Sequence, residues 1–256
     1  MTSIIENRFA PIKDSRLLVV GGCGGIGREL VAAAAELGIS VCVADLSASI
    51  KANPPGGGVK AVAFDATVPE QVAEGVANAA QLLGGIDGLV NLPGFANREA
   101  LVGELGADEW DETLAGNLRS MYLTTTAALP HLKQSSAGAI VNMASGQGTR
   151  PLPRFSAYSA AKAGVISLTK STALEHAPVR ANAVAPGAVV TAFFTGGTGR
   201  EAKENTFNIE AYAKTVPLGR PAYPADIVGP ILFLLSPSAG FVNGQVLHIN
   251  GGGLMP

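Results

Sequence analysis

Tyr158 and Lys162 stand four residues apart in Ser156-Ala157-Tyr158-Ser159-Ala160-Ala161-Lys162, and Ser145 lies thirteen residues upstream of the tyrosine. On a helix, positions i and i+4 share a face, so the phenol and the ammonium can meet. A free phenol, with a pKa of about 10, is a poor base at neutral pH. Two unit charges ~4 Å apart interact by roughly 4 kcal/mol at an effective dielectric of ~20, which at ~1.4 kcal/mol per pH unit brings the phenol from about 10 to near 7. A tyrosine tuned in this way exchanges a proton with an alcohol. Taken alone, the pair has a plainer alternative, an exposed helical contact contributing a few tenths of a kcal/mol.

The elements around the pair have to position it. Short apolar or β-branched runs alternate with longer, often Ala-rich segments. Strands are expected near 17–20, 41–44, 59–64, 86–90, 139–143, 179–185 and 245–249. Helices are expected near 26–37, 69–83, 107–133, 156–176 and 224–235, with Pro69 suited to a first helical turn. Continuous apolar strands separated by helices imply a parallel sheet covered on both faces, an α/β doubly wound Rossmann-type fold with right-handed crossovers. We expect residues 1–15 to be an N-terminal extension and 16–256 a single dinucleotide-binding and catalytic domain. Residues 191–215 interrupt the rhythm with Gly196-Gly197-Thr198-Gly199 and mixed polarity, a candidate substrate lid.

Gly21-Gly22-Cys23-Gly24-Gly25-Ile26-Gly27 falls between the first strand and its helix. Glycines permit a tight turn and close backbone approach there, and a helix N-terminus attracts a pyrophosphate; a plain turn is the alternative. Cys23 reads as a small residue tolerated in the turn rather than a redox sensor. Asp45 ends the second strand about twenty residues past the loop, where an acid can bond both ribose hydroxyls of NAD. It would repel a 2′-phosphate, and neither the loop nor Leu46 supplies an Arg or Lys to neutralise one. NAD is therefore expected over NADP, with an ordinary helix N-cap as the alternative role for Asp45. Asp65 follows the third strand, and Asn91 to Gly94 follow the fourth. Both lie at C-terminal strand ends, where ligands bind in such sheets.

Composition narrows the classes. The net charge of -2 gives no reason to expect nucleic acid or an anionic membrane surface as partner. No uncharged apolar run reaches the ~20 residues of a membrane span. The first fifteen residues hold Glu6, Arg8, Lys13 and Asp14 and no apolar core segment, so no secretory signal is expected. Cys23 and Cys42 form no disulfide or metal pattern, and a reducing cytoplasm is the expected compartment. His131, His176 and His248 lack metal-ligand spacing, so no metal is expected.

Together these residues resemble the short-chain dehydrogenase/reductase family in its common form of about 250 residues, from about residue 15 to 253. The family's Thr-Gly-x-x-x-Gly-Ile-Gly loop is similar to Val20 through Gly27, and its Asn-Asn-Ala-Gly motif to Asn91-Leu92-Pro93-Gly94. Val20, Leu92 and Pro93 depart from the pattern. Asn243-Gly244-Gln245 and Gly251-Gly252 match its C-terminal signature. The resemblance implies a catalytic set of Asn117, Ser145, Tyr158 and Lys162. Ser145 would bond the reacting oxygen, Tyr158 would act as general acid/base, Lys162 would lower the Tyr pKa and hold the nicotinamide ribose, and Asn117 would kink its helix and anchor a water. It implies cofactor contacts from Gly21, Cys23, Gly25, Ile26, Gly27, Asp45, Leu46, Asp65, Ala66, Asn91, Gly94, Tyr158, Lys162, Pro186, Gly187, Val189 and Thr191.

The expected activity is NAD-dependent interconversion of a small-molecule secondary alcohol and its ketone. The alternatives are a 3-oxoacyl-(acyl carrier protein)-type reductase, whose relatives usually prefer NADPH, and a non-catalytic nucleotide sensor. A homotetramer through helices 107–133 and 156–176 and the last strand is what the resemblance implies. Arg150 and Arg154, between Ser145 and Tyr158, are candidates to grip an anionic substrate or simply solvated or subunit-contact arginines. Phe193, Phe194, Phe207 and Tyr212 are candidates for an apolar wall or for packing of the lid itself.

Overall fold

A computed structural model describes residues 9–201 and 207–255. Seven parallel strands form one sheet in the order β3-β2-β1-β4-β5-β6-β7. They are β1 (Arg16–Val20), β2 (Ser40–Asp45), β3 (Lys60–Ala63), β4 (Gly88–Asn91), β5 (Ala139–Met143), β6 (Arg180–Pro186) and β7 (Val246–Ile249). The helices are α1 (Gly25–Glu36), α2 (Ser47–Ala52), α3 (Pro69–Leu83), α4 (Ala107–Leu114), α5 (Ser120–Leu132), α6 (Ser156–Glu175), α7 (Ile209–Ala213) and α8 (Pro224–Leu235). Central strands such as Leu17–Val20 and Ala139–Met143 are buried along their whole apolar length because helices cover both faces. One core layer joins the sheet to α1 and α8, and the other joins it to α3 and α5. The chain reverses direction across the sheet between β1, which is flanked by β2 and β4, and the later strands. This creates the crevice at the carboxyl ends of β1 and β4.

The doubly wound expectation holds, with local differences. The third strand is shorter than the expected 59–64 because it is an edge: Lys60, Ala61 and Ala63 are exposed. The helix expected over 107–133 is interrupted by a π-turn at Ala115–Arg119. The Asn117 side-chain amide donates to the Thr113 carbonyl of α4 at 2.9 Å, competing with the regular helical ladder there, and to the loop carbonyl of Phe95 at 2.8 Å. The short α2 has no strong periodic signal, and its N-cap is Leu46 with no side-chain cap, so Asp45 does not take the N-cap role offered as its alternative. In the lid region the chain forms a 3-10 turn at Ala192–Thr195 and then α7; residues 202–206 of the expected lid lie outside the described residues, as do 1–8 of the expected extension. Among the described residues no helix is long and apolar enough to cross a membrane.

Candidate active site

Ser145 follows β5 and opens a 3-10 turn at Gly146–Gly148, its Oγ accepting from the Gln147 N–H at 3.2 Å. That turn lies directly on α6: a Cβ at Gly148 would stand 2.7 Å from the backbone carbonyl of Lys162. The absence of a side chain at position 148 therefore sets how closely Ser145 approaches Tyr158, near enough for the serine hydroxyl to act against the rise in the tyrosine's pKa. Gly164 does the same for the π-turn, since a Cβ there would meet Leu118 at 2.6 Å. A Cβ on Gly94 would stand 2.6 Å from Asn117 Oδ1 and 3.1 Å from Lys162 Nζ. Three glycines thus allow β4, β5, the π-turn and α6 to bring Asn117, Ser145, Tyr158 and Lys162 together. The sequence reading quoted Gly94 as part of a motif but missed Gly148 and Gly164. Their signal, glycine inside or beside a helical segment, is common to many harmless positions.

The electrostatics differ from the expectation. Lys162 is only 2% exposed, and its ammonium donates to Met143 O at 2.8 Å. It lies 5.6 Å from the centroid of the Tyr158 ring. Burial pushes the Tyr158 hydroxyl up to about 12, outweighing the opposing effect of the Ser145 hydroxyl. Burial also pulls Lys162 down to about 7, so that at neutral pH its charge is only partly present. A phenol brought to near 7 by its neighbour, as the spacing suggested, is not found here. The i, i+4 argument priced the attraction and left out the cost of desolvating both groups. Asn117 Oδ1 is a buried acceptor with no partner, facing the same small space as Lys162 Nζ.

One cavity of about 570 Å3 is lined by Ile26, Gly94, Ser145, Tyr158, Lys162, Pro186, Gly187, Val189 and Thr191 of the expected residues. The lid supplies the wall: Phe193 lies 5.7 Å from the Tyr158 ring, and Phe194 stacks on Phe207 at 4.4 Å. Tyr212 on α7 is latched to the strand end by accepting the Ala188 N–H at 3.0 Å. Leu92, which departs from the family motif, joins the lining. Gln147 and Leu152, from the 146–157 loop that the sequence offers as a shaper of the pocket, also line it, as does Leu254. Arg150 lines the cavity as well, whereas Arg154 faces Glu99 at 3.7 Å.

The remaining expected residues lie outward along the crevice. Gly21 takes φ of 80°, and a Cβ on Gly27 would meet Gly21 O at 2.4 Å, so the loop closes only with glycine at both places. The N-terminus of α1 has no side-chain cap, which leaves its first N–H groups facing the crevice, with Thr191 across from Gly25. Asp45 at the tip of β2 accepts from Cys23 N at 2.9 Å and from Leu46 N at 2.8 Å, docking the carboxylate onto the loop. Cys23 offers only its backbone: its thiol is buried in the core and pushed up to about 11. Asp65 caps a turn by accepting from the Thr67 N–H and hydroxyl, with Ala66 beside it. Asn91 is fully buried, and its side chain is spent on Thr124, Thr125 and Asn142, so it braces β4 against β5 and α5 rather than lining the cavity. An uncapped helix start, a glycine cradle and an acid at the second strand tip fit a dinucleotide whose nicotinamide end points at Tyr158.

Comparison with known proteins agrees with this geometry. The family described as Enoyl-(Acyl carrier protein) reductase matches residues 21–253. A 4-formylbenzenesulfonate dehydrogenase of Comamonas testosteroni is 35% identical over 92% of this chain and 96% of its own. A Brucella melitensis short-chain dehydrogenase/reductase of the glucose/ribitol dehydrogenase type superposes with a TM-score of 0.87 at 28% identity, covering 96% of this chain and 99% of that one. A 3-ketoacyl-(acyl-carrier-protein) reductase from the same organism, complexed with NADH, gives a TM-score of 0.87 at 29% identity over 95% and 100% of the two chains.

Proposed function

The chain belongs to the short-chain dehydrogenase/reductase family and is an oxidoreductase; on that premise we propose that it interconverts a secondary alcohol and its ketone by hydride transfer with NAD. The observation that carries this reading is the convergence of Ser145, Tyr158 and Lys162 on one cavity at the carboxyl edge of the sheet, with the buried Asn117 Oδ1 behind Gly94 near Lys162 Nζ. When bound, the nicotinamide supplies the hydride chemistry. The α1 N-terminus, Gly21, Gly25, Ile26 and Gly27 would hold its pyrophosphate. Asp45 and Leu46 would hold the adenosine ribose, Asp65 and Ala66 the adenine side, and Pro186, Gly187, Val189 and Thr191 the nicotinamide end.

The protein's own groups manage the proton. Ser145 donates to the reacting oxygen and orients it. Tyr158 takes the alcohol proton in oxidation and returns it in reduction. Lys162, whose amine donates to Met143 O, would hold the nicotinamide ribose, and the orphaned Asn117 Oδ1 provides an acceptor for a water through which the proton reaches solvent. Asp45 favours NAD because a 2′-phosphate beside its carboxylate would be repelled. A 3-oxoacyl reductase is the second reading, supported by the similar 3-ketoacyl-(acyl-carrier-protein) reductase complexed with NADH. We further take residues 16–256 as one functional domain and the protein as a cytoplasmic homotetramer. Two buried free thiols support a reducing compartment.

The test is absorbance of NADH formed over a panel of secondary alcohols, repeated with NADP and with 3-oxoacyl thioesters in reverse. Turnover of alcohols with NAD is expected. Tyr158→Phe should lower it by about 10²- to 10⁴-fold while calorimetric NAD affinity is retained. Near-normal turnover of that variant would remove Tyr158 from the role.

A further inference from the structure

The catalytic cavity has an aromatic wall, with Phe193 beside Tyr158 and the stacked pair Phe194 and Phe207 beyond it. The lining also holds Arg150, an exposed residue five positions after Ser145 whose backbone N–H donates to Gly146 O at 3.0 Å. Among the described residues the lining contains no Asp or Glu, and its two cations are Lys162 and Arg150. Lys162 is buried at the reacting end and bonded to Met143 O. Arg150 is different: of the described arginines it alone makes no hydrogen bond or ion pair through its guanidinium. Arg16, Arg98, Arg154, Arg200 and Arg220 face carboxylates, and Arg28, Arg119 and Arg180 bond to amide or backbone oxygens.

An arginine left without a partner on the wall of a cavity that holds no anion of its own is matched to an anion brought by the ligand. Its planar fork of donors suits a carboxylate or sulfonate. Building on the dehydrogenase reading above, we infer that the substrate is an anionic alcohol or ketone. Its ring-bearing or otherwise apolar body lies along Phe193 and Phe194, and a carboxylate or sulfonate at its far end is held by Arg150. Position 150 is then a specificity determinant that acts on binding and leaves the proton chemistry to Tyr158.

A matched pair of secondary alcohols tests this: 1-phenylethanol and 4-(1-hydroxyethyl)benzoate, each with NAD, on the native protein and on Arg150→Gln and Arg150→Lys. The corresponding ketones, acetophenone and 4-acetylbenzoate, are titrated by calorimetry into the NAD-saturated protein. The expected kcat/KM for the benzoate exceeds that for the neutral alcohol on the order of 10- to 100-fold, the range of a charge-assisted hydrogen bond. Arg150→Gln should collapse that ratio toward one, mainly through the KM of the acid, and Arg150→Lys should keep part of it. Equal or better use of the neutral alcohol, or an unchanged ratio in Arg150→Gln, overturns the inference. If neither alcohol is oxidised, the dehydrogenase reading for such substrates fails, and the titration decides the inference separately. Binding of 4-acetylbenzoate that is lost in Arg150→Gln supports it; equal binding of both ketones, or none, overturns it.

Discussion

Lys162, one of the proposed catalytic residues, is held in the fold at a cost to stability. Its amine is fully enclosed and pulled down from 10.5 to about 7 by desolvation. The native state therefore resists the proton that the unfolded chain accepts. The resulting destabilisation is fully present below about pH 7 and fades as pH rises toward 10.5, where both states are neutral. Lys162→Met, which fills the same space without a charge, should raise the melting temperature by roughly 5–10 °C more at pH 6 than at pH 9 in a thermal melt, while abolishing turnover. A pH-independent difference would mean that the amine is not desolvated. Asp45 is the other residue whose role can be isolated. Its carboxylate is docked on Cys23 N and Leu46 N, leaving lone pairs on both oxygens for a ribose. Asp45→Ala should relax the preference for NAD over NADP by about 10-fold in kcat/KM, because both the attraction to the hydroxyls and the repulsion of the phosphate disappear. An unchanged ratio would count against that contact.

Among the elements, the 3-10 turn after β5 and the body of α6 form the joint that sets the catalytic geometry. Gly148 lets the turn rest on the Lys162–Ala163 backbone, with 2.7 Å to where a Cβ would stand. Gly148→Val would force the turn outward and carry Ser145 away from Tyr158. Misplacement by ~1 Å can cost on the order of 100-fold in turnover even where no reacting group is altered. We expect kcat to fall by that order with NAD affinity unchanged, measured by steady-state assay and calorimetry on the same preparation. The π-turn at Ala115–Arg119 belongs to the same joint. Periodicity read it as one helix because the flanking turns are regular, and Asn117 alone could announce the widening only to a reader who knew which carbonyls it would reach. The expected edge strand shortened for a related reason: β-branched content does not reveal whether a strand has a neighbour on its far side.

For the whole molecule, the arrangement leaves apolar side chains in water at places far from the cavity: Tyr122 on α5, Leu174 on α6, and Phe241 and Leu247 at the β7 edge. Such residues are costly on a free monomer when they form patches, and their positions suit the homotetramer we propose. Light scattering should give the mass of a tetramer for the native protein and a smaller assembly for the double variant Phe241→Glu, Leu247→Glu, with far-ultraviolet circular dichroism unchanged. A native monomer would remove the proposal. The order of the seven strands, the glycine loop after β1 and the acid at the tip of β2 were legible in the chain, and the family resemblance supplied the candidate set Asn117, Ser145, Tyr158 and Lys162. Local propensity, periodicity and short spacing are written along a sequence and need no third dimension. The folded structure alone decided that Asn91 turns into the core, that burial drives Tyr158 up instead of its neighbour drawing it down, and that Arg150, not Arg154, faces the cavity. Those outcomes depend on desolvation and on which distant segments meet, and both are properties of packing rather than of order along the chain.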